Sequence, residues 1–325
     1  MIFHASLYAL SLVSAGLATA FSLPLWRSWC RRVGLVDEPG HRKIHDQPIA
    51  LAGGLAILTG LLLSLLGAFA VLKVNLLGAE PTEKLAYGLE RRFGQLAAIA
   101  GGALGMTILG WLDDKHELRP AHKFAGQLLI AGLVAAAGIR ITLFVSNPLF
   151  SYGVTILWIL TVTNAFNFMD NMNGLCAGLG GIASLLIGLI AARHGHYLVA
   201  AIAFLILGAV LGFLPFNFPR ASVFLGDAGS HLIGFLMSVL TVLPHFYSDQ
   251  HPHALAVVSP LLILAVPLAD LVWVVILRWR TGKPFYIGDT NHLSHRLVRL
   301  GLSGPQAVVV IWLLAAAIGS LALLL

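Results

Sequence analysis

The stretch "NAFNFMDNMNGLCAG", residues 164–178, sets four asparagines and an aspartate between two long apolar runs. A charge in such a place is costly unless it faces water or a bound ion. Its meaning therefore depends on what surrounds the two runs. Of the 325 residues, 58% are hydrophobic and only 10% charged, and the mean hydropathy is +0.88. A soluble domain carries about 25% charged residues. The apolar runs are long enough to cross a bilayer as helices of about 20 residues. Alternating strands with turn signals are absent, which argues against a β-barrel. The expected fold is thus all-α: a polytopic integral membrane protein, one domain over 1–325, with a site at the cytoplasmic face.

Ten spans are expected, roughly 5–26, 50–72, 94–112, 123–139, 152–168, 174–192, 197–215, 229–247, 254–277 and 305–324. The first lacks a charged segment before it and reads as a helix rather than a cleaved signal. The connections after odd-numbered spans carry most of the basic residues, among them Arg31, Arg32, Lys43, Lys123, Arg278 and Arg296. By the positive-inside rule these connections face the cytoplasm and both termini lie outside. The formal charge of +6 then speaks for orientation and anionic ligands rather than nucleic acid. Cys30 and Cys176 have no metal or redox spacing and read as packing thiols. Three glycine pairs, 53–54, 101–102 and 180–181, read as close helix contacts.

The polar clusters all fall on the odd connections. Asp113 and Asp114 are adjacent carboxylates at a helix C-terminus, an end that prefers cations, so a lysine or metal must offset them. Local pairing with Lys115 or Arg119 is the simpler possibility. Lys123 follows, suited to a phosphate or to lipid headgroups. Asn164, Asn167 and Asp170 recur at spacing three and share a helix face; oxygen-rich groups there suit Mg²⁺. Asn173-Gly174 marks a turn. "FLGDAGS" (224–230) sets Asp227 and Ser230 at the start of a helix, either as a plain cap or as a carboxylate held for a cation. His292 and His295, flanked by Arg296, fit a diphosphate better than zinc, since no third nearby nitrogen or sulfur ligand is present. Asp270 lies in the ninth span with Pro267, and reads as a satisfied carboxylate at a helix kink.

Five strings in order, "DEPGHRKIHDQPIALAGG" (37–54), "DDKHELRPAHK" (113–123), "NAFNFMDNMNGL" (164–175), "FLGDAGS" (224–230) and "DTNHLSHRL" (289–297), resemble the polyprenyl-phosphate N-acetylhexosamine-1-phosphate transferases. The likeness is greatest to the branch acting on undecaprenyl phosphate and UDP-GlcNAc. It implies transfer of a sugar 1-phosphate from a UDP-sugar to undecaprenyl phosphate in the bacterial inner membrane, with Mg²⁺, or Mn²⁺ in its place, and release of UMP. It implies catalytic roles for Asp113, Asp114 and Asp170, and metal contacts from Asn167 and Asp227. Lys43, His45, Lys123, Asn164, His292, His295 and Arg296 would bind the two substrates. Two positions depart from the family pattern: Asn171 stands where glycine is common, and Ser294 where a histidine is common. The sparse histidine cluster argues against a phospho-MurNAc-pentapeptide transferase. A secondary transporter is the non-enzyme alternative, disfavoured by the lack of a clear internal repeat. A homodimer is left open.

Overall fold

The computed structural model describes residues 2–39, 47–74, 89–142, 145, 147–243, 257–284 and 290–325. Lys43, His45 and Asp289 lie outside the described residues. The chain folds as a helical bundle. The helices bounded within the described residues are α1 (Ile2–Arg32), α2 (Gly53–Lys73), α3 (Phe93–His116), α4 (Pro120–Ala136), α5 (Pro148–Met169), α6 (Leu175–Arg193) and α7 (Tyr197–Asn217). Then follow α8 (Gly226–Leu240), α9 (Ser259–Ile263), α10 (Ala265–Arg280), α11 (Leu293–Arg299) and α12 (Gly304–Ser320).

Each of the ten expected spans meets a helix, yet among the described residues only seven helices are long and apolar enough to cross a membrane. These are α1, α2, α3, α5, α6, α7 and α12 with its terminal turn. The described parts of the fourth, eighth and ninth spans do not by themselves meet that length and composition. α8, at 15 residues, rises only about 22 Å against a hydrocarbon core of about 30 Å. It is walled in by α2, α3, α5 and α6, and every residue from Ala228 to Leu240 is buried. Its apolar character thus reflects a protein interior rather than lipid contact. The ninth span breaks at Leu264 into α9 and α10. Pro267 explains the break: its ring excludes the carbonyl of Ile263, four residues back.

Short extended segments, not anticipated from sequence, tie the connections together at one end of the bundle. β2 (Ile49–Leu51) pairs antiparallel with β1 (Val36–Asp37) and parallel with β3 (Val223–Phe224). The pairing satisfies backbone groups that the helices leave open and draws the start of α2 against the start of α8. There Gly54 donates its backbone N–H to the Leu225 carbonyl at 3.0 Å. A Cβ on Gly54 would stand 2.3 Å from the Gly229 nitrogen, so only glycine permits this approach. Gly102 and Gly180 likewise meet side chains of α8, whereas Gly101 faces open space, so that pair contributes one contact rather than two. Cys30 and Cys176 are buried free thiols, as expected.

Candidate active site at one end of the bundle

The site is built around the N-terminus of α8. Its first turn has open backbone N–H groups, as every helix does. The sequence suggested a cap from Asp227 or Ser230, but the residue at the cap position, Leu225, supplies none. The cap comes instead from another helix. Asp114, at the end of α3, accepts the N–H groups of Asp227 at 2.8 Å and Ala228 at 3.1 Å, one on each carboxylate oxygen. A carboxylate at this positive helix end is favourable. Gly226 takes a left-handed backbone at φ +73°, and a Cβ there would come within 2.7 Å of Asp114 Oδ2. Gly110, one turn back on α3, lets the helices touch: its Cβ would lie 2.3 Å from the Asp227 carbonyl oxygen.

Asp113 faces elsewhere. One oxygen accepts the Leu118 N–H at 2.8 Å, tying off the end of α3. The other meets the Lys123 ammonium at 2.6 Å. The cation offsetting the acidic pair is therefore Lys123; Lys115 lies over the Trp111 ring. Lys123 also contacts Asp227 Oδ2 at 2.6 Å and Asn167 Oδ1 at 3.4 Å. Asn167 completes the ring of contacts by donating its amide to Asp227 Oδ1 at 2.8 Å and Ser230 Oγ at 3.0 Å. Three helices, α3, α5 and α8, thus supply oxygen atoms around one ammonium carried by α4. Burial opposes the charge of Asp227, but the Lys123 ammonium holds its carboxyl below the usual range. Asp170, at the end of α5, has no such cation. Burial, with the Asp227 and Asp114 charges, pushes it well above the ordinary carboxylate value, although part of its surface remains accessible.

Asn164 is not part of this network. It lies one turn inward, and its amide donates to Gln127 Oε1 and the Leu160 carbonyl, both at 2.8 Å. The remaining asparagines of the opening stretch tie loops together. Asn171 donates to the Phe168 carbonyl at 2.6 Å and accepts from Ser294 Oγ at 2.6 Å. The two departures from the family pattern therefore touch each other. Asn173 reaches the Pro219 carbonyl. Gly174 turns the chain at φ +77° and donates its N–H to Asn217.

α11 docks against the same end of α5. His292 Nδ1 is 2.7 Å from Asp270 Oδ2, and the imidazole meets the Phe168 ring edge-on with centroids 5.6 Å apart. On that same ring lies the guanidinium of the buried Arg278, at 4.9 Å. His295 is one turn on, its ring 6.3 Å from that of His292. Arg296 is exposed and lies over Trp273 at 4.8 Å. Since residues 167 and 168 are neighbours, the carboxylate network and the histidine segment share the end of α5. Sequence reasoning did not assign Phe168, Arg278 or Asp270 to the site. A charged residue buried in an apolar helix is a signal for the last two; nothing in sequence singles out Phe168.

Among the described residues, no three His, Cys, Asp or Glu side chains form a ready-made metal shell. The donors that do converge are oxygens, and they already surround a cation. The arrangement can hold positive charge at an end of the bundle and present it to an anion.

A model described as glycosyl transferase family 4 matches residues 96–245, which include the carboxylate–lysine network. A Bacillus subtilis protein described as a probable undecaprenyl-phosphate N-acetylglucosaminyl 1-phosphate transferase is 32% identical over 90% of this chain and 77% of its own length. The decaprenyl-phosphate N-acetylglucosaminephosphotransferase of Mycolicibacterium smegmatis is 33% identical over 93% of this chain and 78% of its own length. The undecaprenyl-phosphate alpha-N-acetylglucosaminyl 1-phosphate transferase of Escherichia coli K12 is 29% identical over 96% and 82%. The likeness extends over nearly the whole chain, and the polar groups it shares a fold with meet in one place. The chain belongs to glycosyl transferase family 4, within the polyprenyl-phosphate N-acetylglucosamine-1-phosphate transferase branch.

Proposed function

We propose that this protein transfers N-acetylglucosamine 1-phosphate from UDP-GlcNAc to undecaprenyl phosphate, giving the lipid diphosphate sugar and UMP. The observation that carries the reading is the Lys123 ammonium held between Asp113, Asp227 and Asn167. Both substrates are anions, one of them anchored in lipid. Unit charges 4 Å apart repel by about 4 kcal/mol at an effective dielectric of 20. A site that joins them needs mobile or shared positive charge where the helices meet water. The names of the relatives, each an N-acetylglucosaminyl phosphate transferase acting on a polyprenyl phosphate, support the same substrates here.

The donor atoms suit Mg²⁺, which prefers hard oxygen ligands and takes only one or two from protein. Asn167 and Asp227 would hold it, with Asp113 beside them. When bound, it supplies charge neutralisation at the diphosphate and at the leaving UMP. Lys123, released from the carboxylates, binds the acceptor phosphate. The lipid phosphate oxygen attacks the β-phosphorus, and the bond from that phosphorus to the bridging oxygen breaks as UMP leaves. Asp113 takes the residual proton of a monoprotonated acceptor phosphate. It suits this better than Asp114, whose two oxygens are engaged by the α8 backbone. His292, His295 and Arg296 bind the donor diphosphate and sugar, together with Lys43 and His45 of the first connection. The site faces the cytoplasm, where the basic connections belong.

The test is a panel of UDP-sugars offered to purified protein with undecaprenyl phosphate, scored for UMP. UMP release that requires both the lipid phosphate and Mg²⁺ is expected, with UDP-GlcNAc preferred and Asp227→Ala inactive. Near-normal Mg²⁺-dependent turnover by Asp227→Ala would overturn the metal assignment. Release of UMP without any lipid acceptor would replace direct attack by a covalent carboxylate route.

A further inference from the structure

Asp270 is the most deeply buried carboxylate near the site, at 4% exposure, and the transfer chemistry gives it nothing to do. A buried carboxylate is costly unless it is paired and hydrogen-bonded. Asp270 is both. Oδ2 meets His292 Nδ1 at 2.7 Å, and Oδ1 accepts the Leu293 backbone N–H at 2.6 Å. Asp270 lies within α10, after the break at Leu264.

We propose that Asp270 is the positioning residue of the donor subsite: its carboxylate fixes the ring and tautomer of His292 so that Nε2 is offered to the diphosphate of the UDP-sugar. The inference rests on the proposed reading of His292 as a donor-binding group. The carboxylate accepts a hydrogen bond from Nδ1–H, which leaves Nε2 as the nitrogen that meets a ligand, and toward a diphosphate it donates when the ring carries both protons. The Phe168 edge at 82° limits rotation of the ring from one side. A histidine held by a buried carboxylate also accommodates a positive charge when an anion arrives, giving a charge-assisted hydrogen bond. Asp270 acts through His292 and touches no substrate itself.

A purely structural role for Asp270, anchoring α11, is separable. The helix has a second anchor on a different element, the Ser294–Asn171 hydrogen bond at 2.6 Å. Asp270→Asn keeps an acceptor for the Leu293 N–H, so α11 stays docked while the ring loses its carboxylate.

The experiment is a double-mutant cycle in the purified full-length protein, with UMP release as the rate and UDP binding by calorimetry as an independent readout. Asp270→Asn is expected to raise the KM for UDP-GlcNAc and the Kd for UDP by about tenfold, leaving kcat and the KM for undecaprenyl phosphate unchanged. In a His292→Gln background the same substitution is expected to add nothing. Additive losses, a fall in kcat with unchanged KM, or wild-type behaviour of either single variant would each overturn the positioning role. If the wild-type protein neither releases UMP nor binds UDP, the donor reading itself fails, and the positioning role falls with it.

Discussion

Lys123 occupies the place where a divalent cation would gain most, so removing its charge should make the empty protein bind metal more tightly. Asp113 Oδ2 and Asp227 Oδ2 each lie 2.6 Å from Nζ. The two carboxylates are therefore at most about 5 Å apart, and without the ammonium they repel by about 3 kcal/mol at an effective dielectric of 20. The Asp227 side chain is 29% exposed, which screens part of that. In the wild type a metal must first displace the lysine from these oxygens. In Lys123→Met, of similar length and no charge, it relieves the repulsion directly. Affinity for Mn²⁺ in the absence of substrate should rise by about tenfold or more, while turnover is lost because the acceptor phosphate has no cation. Titration of detergent-solubilised protein with Mn²⁺, followed by electron paramagnetic resonance, reads the free metal. Equal or weaker binding by Lys123→Met would show that the ammonium and the metal do not compete, and would refute the reasoning.

Gly110→Ala forces a Cβ to within 2.3 Å of the Asp227 carbonyl; it should lower stability by about 1–3 kcal/mol and suppress UMP release, measured by thermal unfolding and by turnover. Asp114→Asn removes one of the two acceptors capping α8. A loss of about 1–2 kcal/mol is expected, again by thermal unfolding, with activity falling further because Asp227 is displaced. Asp170 carries a raised pKa, so in metal-free protein its contribution to stability is present below the ordinary carboxylate pKa and is lost as pH rises through its raised value. Asp170→Asn should flatten that decline in melting temperature; an unchanged pH profile would contradict it. Ser294→Ala and Asn171→Gly should each destabilise the protein, and their combined effect should fall short of the sum by about 0.5–1.5 kcal/mol, because each removes the same hydrogen bond.

Much of the site was legible because membrane chains leave so few polar residues to choose among. In a chain with 10% charged residues, Asp113, Asp114, Asn167 and Asp227 stand out against lipid-facing and interior leucine and alanine alike. What could not be read was direction. Adjacent residues on a helix point about 100° apart, and so Asp113 turns to Lys123 while Asp114 turns to α8, giving two identical side chains different work. Asn164 and Asn167 share a helix face, yet one bonds to Gln127 inside the bundle and the other to Asp227. Hydropathy also does not distinguish protein from lipid: α8 is apolar and is surrounded by protein.

The sequence by itself determined the fold class, the helix positions and the set of polar groups from which a site is made, since the cost of polar atoms in an apolar medium acts locally on each segment. Tertiary structure alone decided the pairings: Asp114 capping α8, Lys123 seated among three oxygens, Asp270 holding His292, and Ser294 meeting Asn171. Hydrogen bonds and ion pairs depend on separations of about 3 Å and on angle. Those are set by where distant helices cross, so no property of a single segment carries them.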